Sequence, residues 1–141
     1  MSRIKGPLPK QGQVIGCWFP LKEDPTKPGD KFRPCLTAGV NDDIANEHPL
    51  IAVVYGTGQR TGDKNGKALK SHEFELEARE HGIQLPEQTR FDCSRWVYLP
   101  FTEEWFGTEA KKSNWHCYGA IHQSRMDEAR AAVKAGRMIS P

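Results

Sequence analysis

The chain has 141 residues, 37% of them hydrophobic and 27% charged, which suits one globular domain able to bury roughly 68–70% of its unfolded surface without staples. A net charge of +2 is no argument for a nucleic-acid partner by itself and leaves local basic patches open. The charged N-terminus has no apolar stretch behind it and nothing approaches a transmembrane span, which excludes a signal peptide and a membrane anchor and points to the cytoplasm.

Residues 1–11 carry Gly6, Pro7 and Pro9 and read as a flexible lead-in to one domain over 12–141. Val14, Ile15, Cys17, Trp18 and Phe19 form the first predicted strand, because β-branched and aromatic residues fit a pleated, half-buried surface. Pro20, Pro25, Pro28 and Gly29 then force a loop. Cys35 to Val40 returns as a second strand, with Arg33 at its mouth held extended by Pro34. A guanidinium there offers a fixed fork of donors that matches phosphate oxygens; alternatively it anchors the loop.

Leu50 to Tyr55 is the longest apolar run and shows no alternation, so a central strand covered on both faces is expected. Gly56-Thr57-Gly58-Gln59 ends it, either as a plain turn or as a place where backbone approaches a ligand. From Arg60 to Lys70 four cations face one anion, a local charge of +3 that suits a solvated loop or one closing on a polyanion.

His72 to Leu76 alternates as a one-sided strand, and Glu77 to His81 reads as a helical turn stopped by Gly82. Arg90 to Leu99 is a second long strand, with Arg90, Asp92 and Ser94 on one face and Phe91 and Cys93 on the other. Arg90 and Asp92 are neighbours there, able to share a substrate or to form a surface ion pair. Glu103 to Phe106 suggests a short turn covering the core, and Trp115 to Ile121 a last strand bulged at Gly119. Ser124 is the expected N-cap of a helix running to about Ala135 and stopping at Gly136, with Met126, Ala129, Ala132 and Val133 inward and Arg125, Glu128, Arg130 and Lys134 wet. Cys17, Cys35, Cys93 and Cys117 each fall in a predicted strand, without a C-x-x-C pair or a histidine cluster. They read as small buried hydrophobes in a reducing compartment, and neither metal nor cofactor is expected.

The order of these pieces resembles the MazF/PemK family of toxins from toxin–antitoxin systems. The matching stretches are Gly12-Gln13-Val14-Ile15, Phe32-Arg33-Pro34-Cys35-Leu36, Val53 to Gln59 with its Thr-x-Gln ending, Arg90-Phe91-Asp92, and Tyr118 to Ile121 leading into the helix. The resemblance implies a mainly β (α+β) fold, an SH3-like partly open β-barrel with a C-terminal helix, in a homodimer neutralised by a cognate antitoxin protein. It also implies a metal-independent, sequence-specific endoribonuclease acting on single-stranded RNA such as mRNA, in which the ribose 2′-hydroxyl attacks the adjacent phosphorus and leaves 2′,3′-cyclic phosphate and 5′-hydroxyl ends. Carried over residue by residue, Arg33 balances charge on the phosphate, Thr57 orients a phosphate oxygen, Asp92 is the base candidate and Arg90 positions the phosphate. Gln59, Arg60, Lys64 and Lys67 would bind RNA, while no histidine matches a family motif. Two other readings use the same barrel without the reaction: a gyrase-poison-like (CcdB-like) binding module, and a phage or mobile-element protein that has lost the chemistry. The ending Arg137-Met138-Ile139-Ser140-Pro141 differs from the Trp-Gly-Ile associated with the gyrase-poisoning branch.

Overall fold

A computed structural model describes residues 4, 6–43, 45–59, 61 and 68–139, with side chains through Arg137. Eight strands form one curled antiparallel sheet: β1 (Gln13–Cys17), β2 (Arg33–Asn41), β3 (Leu50–Thr57), β4 (Glu73–Leu76), β5 (Arg79–Glu80), β6 (Ile83–Gln84), β7 (Thr89–Pro100) and β8 (Cys117–Ala120). Their order is β4-β7-β3-β2-β1-β8-β6-β5. A short helix, α1 (Glu103–Phe106), and a C-terminal helix, α2 (Met126–Ile139), complete the expected partly open β-barrel with its helix. Among the described residues no helix is long and apolar enough to cross a membrane.

The apolar run in β3 is buried on both faces, as its lack of alternation predicts. Ala52 and Val54 join one core with Leu36, Phe74, Phe91 and the α2 residues Ala129 and Ala132. Ile51 and Val53 face a second core with Ile15, Cys35, Leu99, Phe101 and the α1 residues Trp105 and Phe106. Ile4, in the stretch read as a lead-in, is 2% exposed within that second core. Burying each such side chain contributes about 1.5–3 kcal/mol.

Four local expectations are corrected. Residues 79–84 form the β5–β6 hairpin, rather than the helical turn expected over Glu77 to His81. Gly82 turns it at φ +81°, a conformation that favours glycine, and Ile83 docks on Gly119 of β8. The C-terminal helical segment is capped two residues earlier than expected: His122 Nδ1 accepts from the Ser124 amide and a 3₁₀ turn over Gln123–Arg125 leads into α2. The helix also runs through Gly136. A Cβ there would sit 2.0 Å from the Cys93 carbonyl oxygen, so this glycine admits β7 rather than ending the helix. Arg125 is not a wet residue; it pairs with Glu80 at 2.6 Å and donates to the Glu75 carbonyl.

Of the cysteines, Cys17, Cys35 and Cys93 are buried, but Cys117 is exposed because β8 packs through its neighbours. The bulge expected at Gly119 is present: Val14 pairs with Gly119 and Ile15 with Cys117, so Tyr118 is skipped.

Candidate anion-binding face

The end of β3 and the start of β2 meet in a cleft of about 310 Å³, lined by Arg33, Thr57 and Gln59 together with Lys31, Glu87 and Thr89. Local sequence explains each placement. Pro34 keeps Arg33 extended as it enters β2 opposite Cys17, and the ring of Phe32 lies against Gly16, where no side chain intervenes. Gly56 lets the Pro34 carbonyl come within 2.1 Å of where a Cβ would stand, drawing Arg33 close to β3. Thr57 is only 4% exposed, and its Oγ1 accepts from the Gln59 amide at 3.1 Å, which shapes the turn after the strand. Gly58 packs against the Glu87 carboxylate, so one anion closes the far wall.

Sheet register sets Arg90 and Asp92 on the same face as this cleft, yet neither lines it. Thr57 pairs with Arg90 and Tyr55 with Asp92, and directly opposed residues of antiparallel strands project together. The Arg90 guanidinium is engaged by Glu73, at side-chain exposures of 12% and 13%. Asp92 Oδ1 accepts from the Ser94 amide at 3.0 Å and from its hydroxyl at 2.6 Å, with His72 Nε2 3.7 Å away. Its Oδ2 has no hydrogen bond among the described residues. Of the remaining candidates, Arg60, Lys64 and Lys67 lie outside the described residues.

No protein-family model matches the sequence, and no curated protein matches it. The fold does have a solved counterpart. It is similar to an endoribonuclease in complex with its cognate antitoxin from a Mycobacterial species, at a TM-score of 0.57 and 13% sequence identity. The likeness covers 95% of this chain and 99% of that one, so the whole barrel is shared rather than a fragment of it.

Two residues of this face escape a reading by motif. Tyr55, which ends the run expected to be covered on both faces, is half-buried, and the Arg33 guanidinium carbon lies 5.2 Å from its ring centre. Arg95 lies closer still, at 3.9 Å, and also stacks on Phe19 at 5.4 Å. The sequence does carry one signal. Inward positions in β7 are odd-numbered at Phe91 and Cys93, yet Trp96 faces the same core, which marks a break in the pleat. Among the described residues no three His, Cys, Asp or Glu side chains gather as a metal site.

Proposed function

We propose that this protein is an endoribonuclease toxin that cleaves single-stranded RNA and is held in check by a protein antitoxin. One observation carries the reading: Arg33 and Thr57, named from the order of short motifs, line one cleft on a barrel whose solved counterpart is an endoribonuclease. The counterpart's complex with its cognate antitoxin supports a partner of the same kind here. Action as a homodimer in the cytoplasm belongs to the same proposal.

The chemistry asks for charge balance, a proton acceptor and a proton donor. Attack of the 2′-oxygen on phosphorus forms a new P–O bond and breaks the bond to the 5′-oxygen. The phosphorane so formed gathers negative charge. Arg33 supplies donors to its non-bridging oxygens, and the Thr57 hydroxyl, already accepting from Gln59, has its proton to give to one of them. Asp92 is the carboxylate assigned to take the 2′-hydroxyl proton, through the Oδ2 that the Ser94 turn leaves aside. The 5′-oxygen takes a proton from solvent, because guanidinium does not give one up. Arg90, tied to Glu73 behind Thr57, is assigned to positioning the phosphate without reacting. Gln59, Arg60, Lys64 and Lys67 are proposed to track the flanking backbone.

Incubating the full chain with a long single-stranded RNA in EDTA tests this. Cleavage to 2′,3′-cyclic phosphate and 5′-hydroxyl ends is expected, and Arg33→Ala should abolish it. Intact RNA at high enzyme concentration would favour a binding module on the same barrel. Cleavage surviving Arg33→Ala would move the site elsewhere.

A further inference from the structure

Between β3 and β7 the pairing jumps. Val54 stands opposite Trp96, but the next residue, Tyr55, stands opposite Asp92, so Cys93, Ser94 and Arg95 have no partner on β3. Bulges of this kind bend a strand and re-aim a side chain. This one is built from within: the Asp92 carboxylate takes both the amide and the hydroxyl of Ser94, while the Cys93 amide bonds the His72 carbonyl at 2.8 Å. Its effect is to swing Arg95 over the Tyr55 ring, beside the guanidinium that motif order had singled out. With Arg33 at 5.2 Å and Arg95 at 3.9 Å from one ring centre, the two guanidinium carbons are at most about 9 Å apart.

The charges on this face sort into two kinds. Arg90 is committed to a carboxylate, Glu73. Arg33 and Arg95 have no carboxylate within ion-pair distance among the described residues, and Arg95 makes a single long bond, 3.5 Å, to the Pro20 carbonyl. Each guanidinium has five N–H donors, so most of this capacity makes no hydrogen bond among the described residues. Two cations held near each other on an aromatic ring repel, and a row of backbone phosphates relieves that repulsion where a single carboxylate does not.

We propose that Arg95 is a second phosphate-binding guanidinium of this face, taking the backbone phosphate next to the one that Arg33 holds. The inference rests on the ribonuclease reading for its ligand and adds a residue, and a second phosphate, to it. Tyr55 then serves as the shelf that sets the spacing of the two forks, and the Asp92–Ser94 turn fixes where the second one stands.

Binding of a fluorescent, fully 2′-O-methylated, random-sequence single-stranded RNA to the intact chain, titrated against salt, tests it. The methyl groups block cleavage, so affinity is read alone. Arg95→Gln should bind roughly tenfold more weakly and lower the slope of log affinity against log salt by about 0.7, the loss of one phosphate contact on a single strand. Arg95→Lys should keep the slope. Because Arg95 also packs on Phe19, a second measurement uses the unaltered protein: labelling by an arginine-selective dicarbonyl, read by peptide mass, should be slowed by RNA at Arg95 and Arg33 but not at the exposed Arg79. Binding with an unchanged slope in Arg95→Gln, or labelling of Arg95 indifferent to RNA, overturns the inference and leaves the ribonuclease reading standing. Failure of the unaltered protein to bind the RNA overturns both.

Discussion

Gly56→Ala is the substitution that most directly tests how the cleft is built. A methyl group at this position would stand 2.1 Å from the Pro34 carbonyl oxygen and 2.9 Å from the ring of Phe91, which is fully buried. A relaxed carbon–oxygen contact needs roughly 3.3 Å, so β2 must back away from β3 by about 1 Å at Arg33–Pro34. Overpacking of this kind costs about 1–3 kcal/mol, against about 0.5–1 kcal/mol returned by the stiffer unfolded chain. A net loss of about 1–2 kcal/mol corresponds to a fall of roughly 3–6 °C in Tm for a domain of this size. The effect on catalysis should be larger than the effect on stability. Displacing Arg33 by about 1 Å from Thr57 is expected to slow RNA cleavage on the order of 100-fold. Thermal unfolding and initial cleavage rates measure the two arms, with Gly39→Ala as the control, since nothing lies within 4 Å of that position. A Gly56→Ala protein with the original Tm would refute the close approach. One that melts lower yet cleaves RNA at full speed would refute the cleft as the reacting site.

Gly136→Ala should destabilise the protein by about 1–3 kcal/mol despite alanine's better helix propensity, because its methyl would meet the Cys93 carbonyl; a raised Tm would show that α2 has room there. In the native protein Cys117 should be the thiol that reacts readily with a disulfide reagent, and Cys117→Ser should remove that reaction, whereas Cys17, Cys35 and Cys93 should react only on unfolding. Burial, then the charges of Asp92 and Glu73, push the Cys93 thiol up to about 12, and burial followed by the bond with Cys35 raises Cys17 as well. A raised acid pKa means the folded state holds its proton longer than the unfolded chain. That stabilisation is complete below about pH 9 and is lost as pH rises towards 12, so Tm should fall over this window, and less steeply in Cys93→Ala. Arg90→Ala leaves Glu73 confined without its partner and should lower Tm by several degrees, with Glu73→Gln in the same chain recovering part of the loss; full stability of Arg90→Ala would mean the pair is already solvated.

The parts of this fold legible in the sequence are those where one segment carries its own instruction. Leu50 to Tyr55 declares a doubly covered strand because both of its faces are apolar, and the Pro34 lock on Arg33 is a property of two adjacent residues. Thr57 and Gln59 were legible as a turn, and their meeting with Arg33 followed from the order of the motifs. What was not legible depends on distant partners. Residues 79–84 are too polar to announce a hairpin, and they form one because Ile83 finds β8. Gly136 reads as a helix stop until the Cys93 carbonyl is seen beneath it. The change from odd to even apolar positions between Cys93 and Trp96 signals a break in β7, but Arg95 could not be given a face without the register, since its side chain changes face according to where β7 slips against β3.

That slip also explains why Arg90 and Asp92, which share a face with the cleft, stand apart from its lining. Over the first half of β7 the strand is held on two sides, by β4 and by β3, and cross-strand neighbours satisfy the charges they meet: Glu73 takes Arg90 and the Ser94 turn takes one oxygen of Asp92. Within the bulge β7 has left β4 and has no partner on β3, so Arg95 emerges where neither neighbouring strand offers a carboxylate. Arg33 also reaches the Tyr55 ring from a strand end, as the first residue of β2 with the proline loop behind it. This sheet therefore sorts its cations: Arg90, inside the ladder, is neutralised by it, and Arg33 and Arg95, at its interruptions, have no carboxylate partner among the described residues. On this barrel both interruptions open beside one aromatic ring, and the single-stranded RNA proposed as ligand has a charge spacing that can use two of them at once.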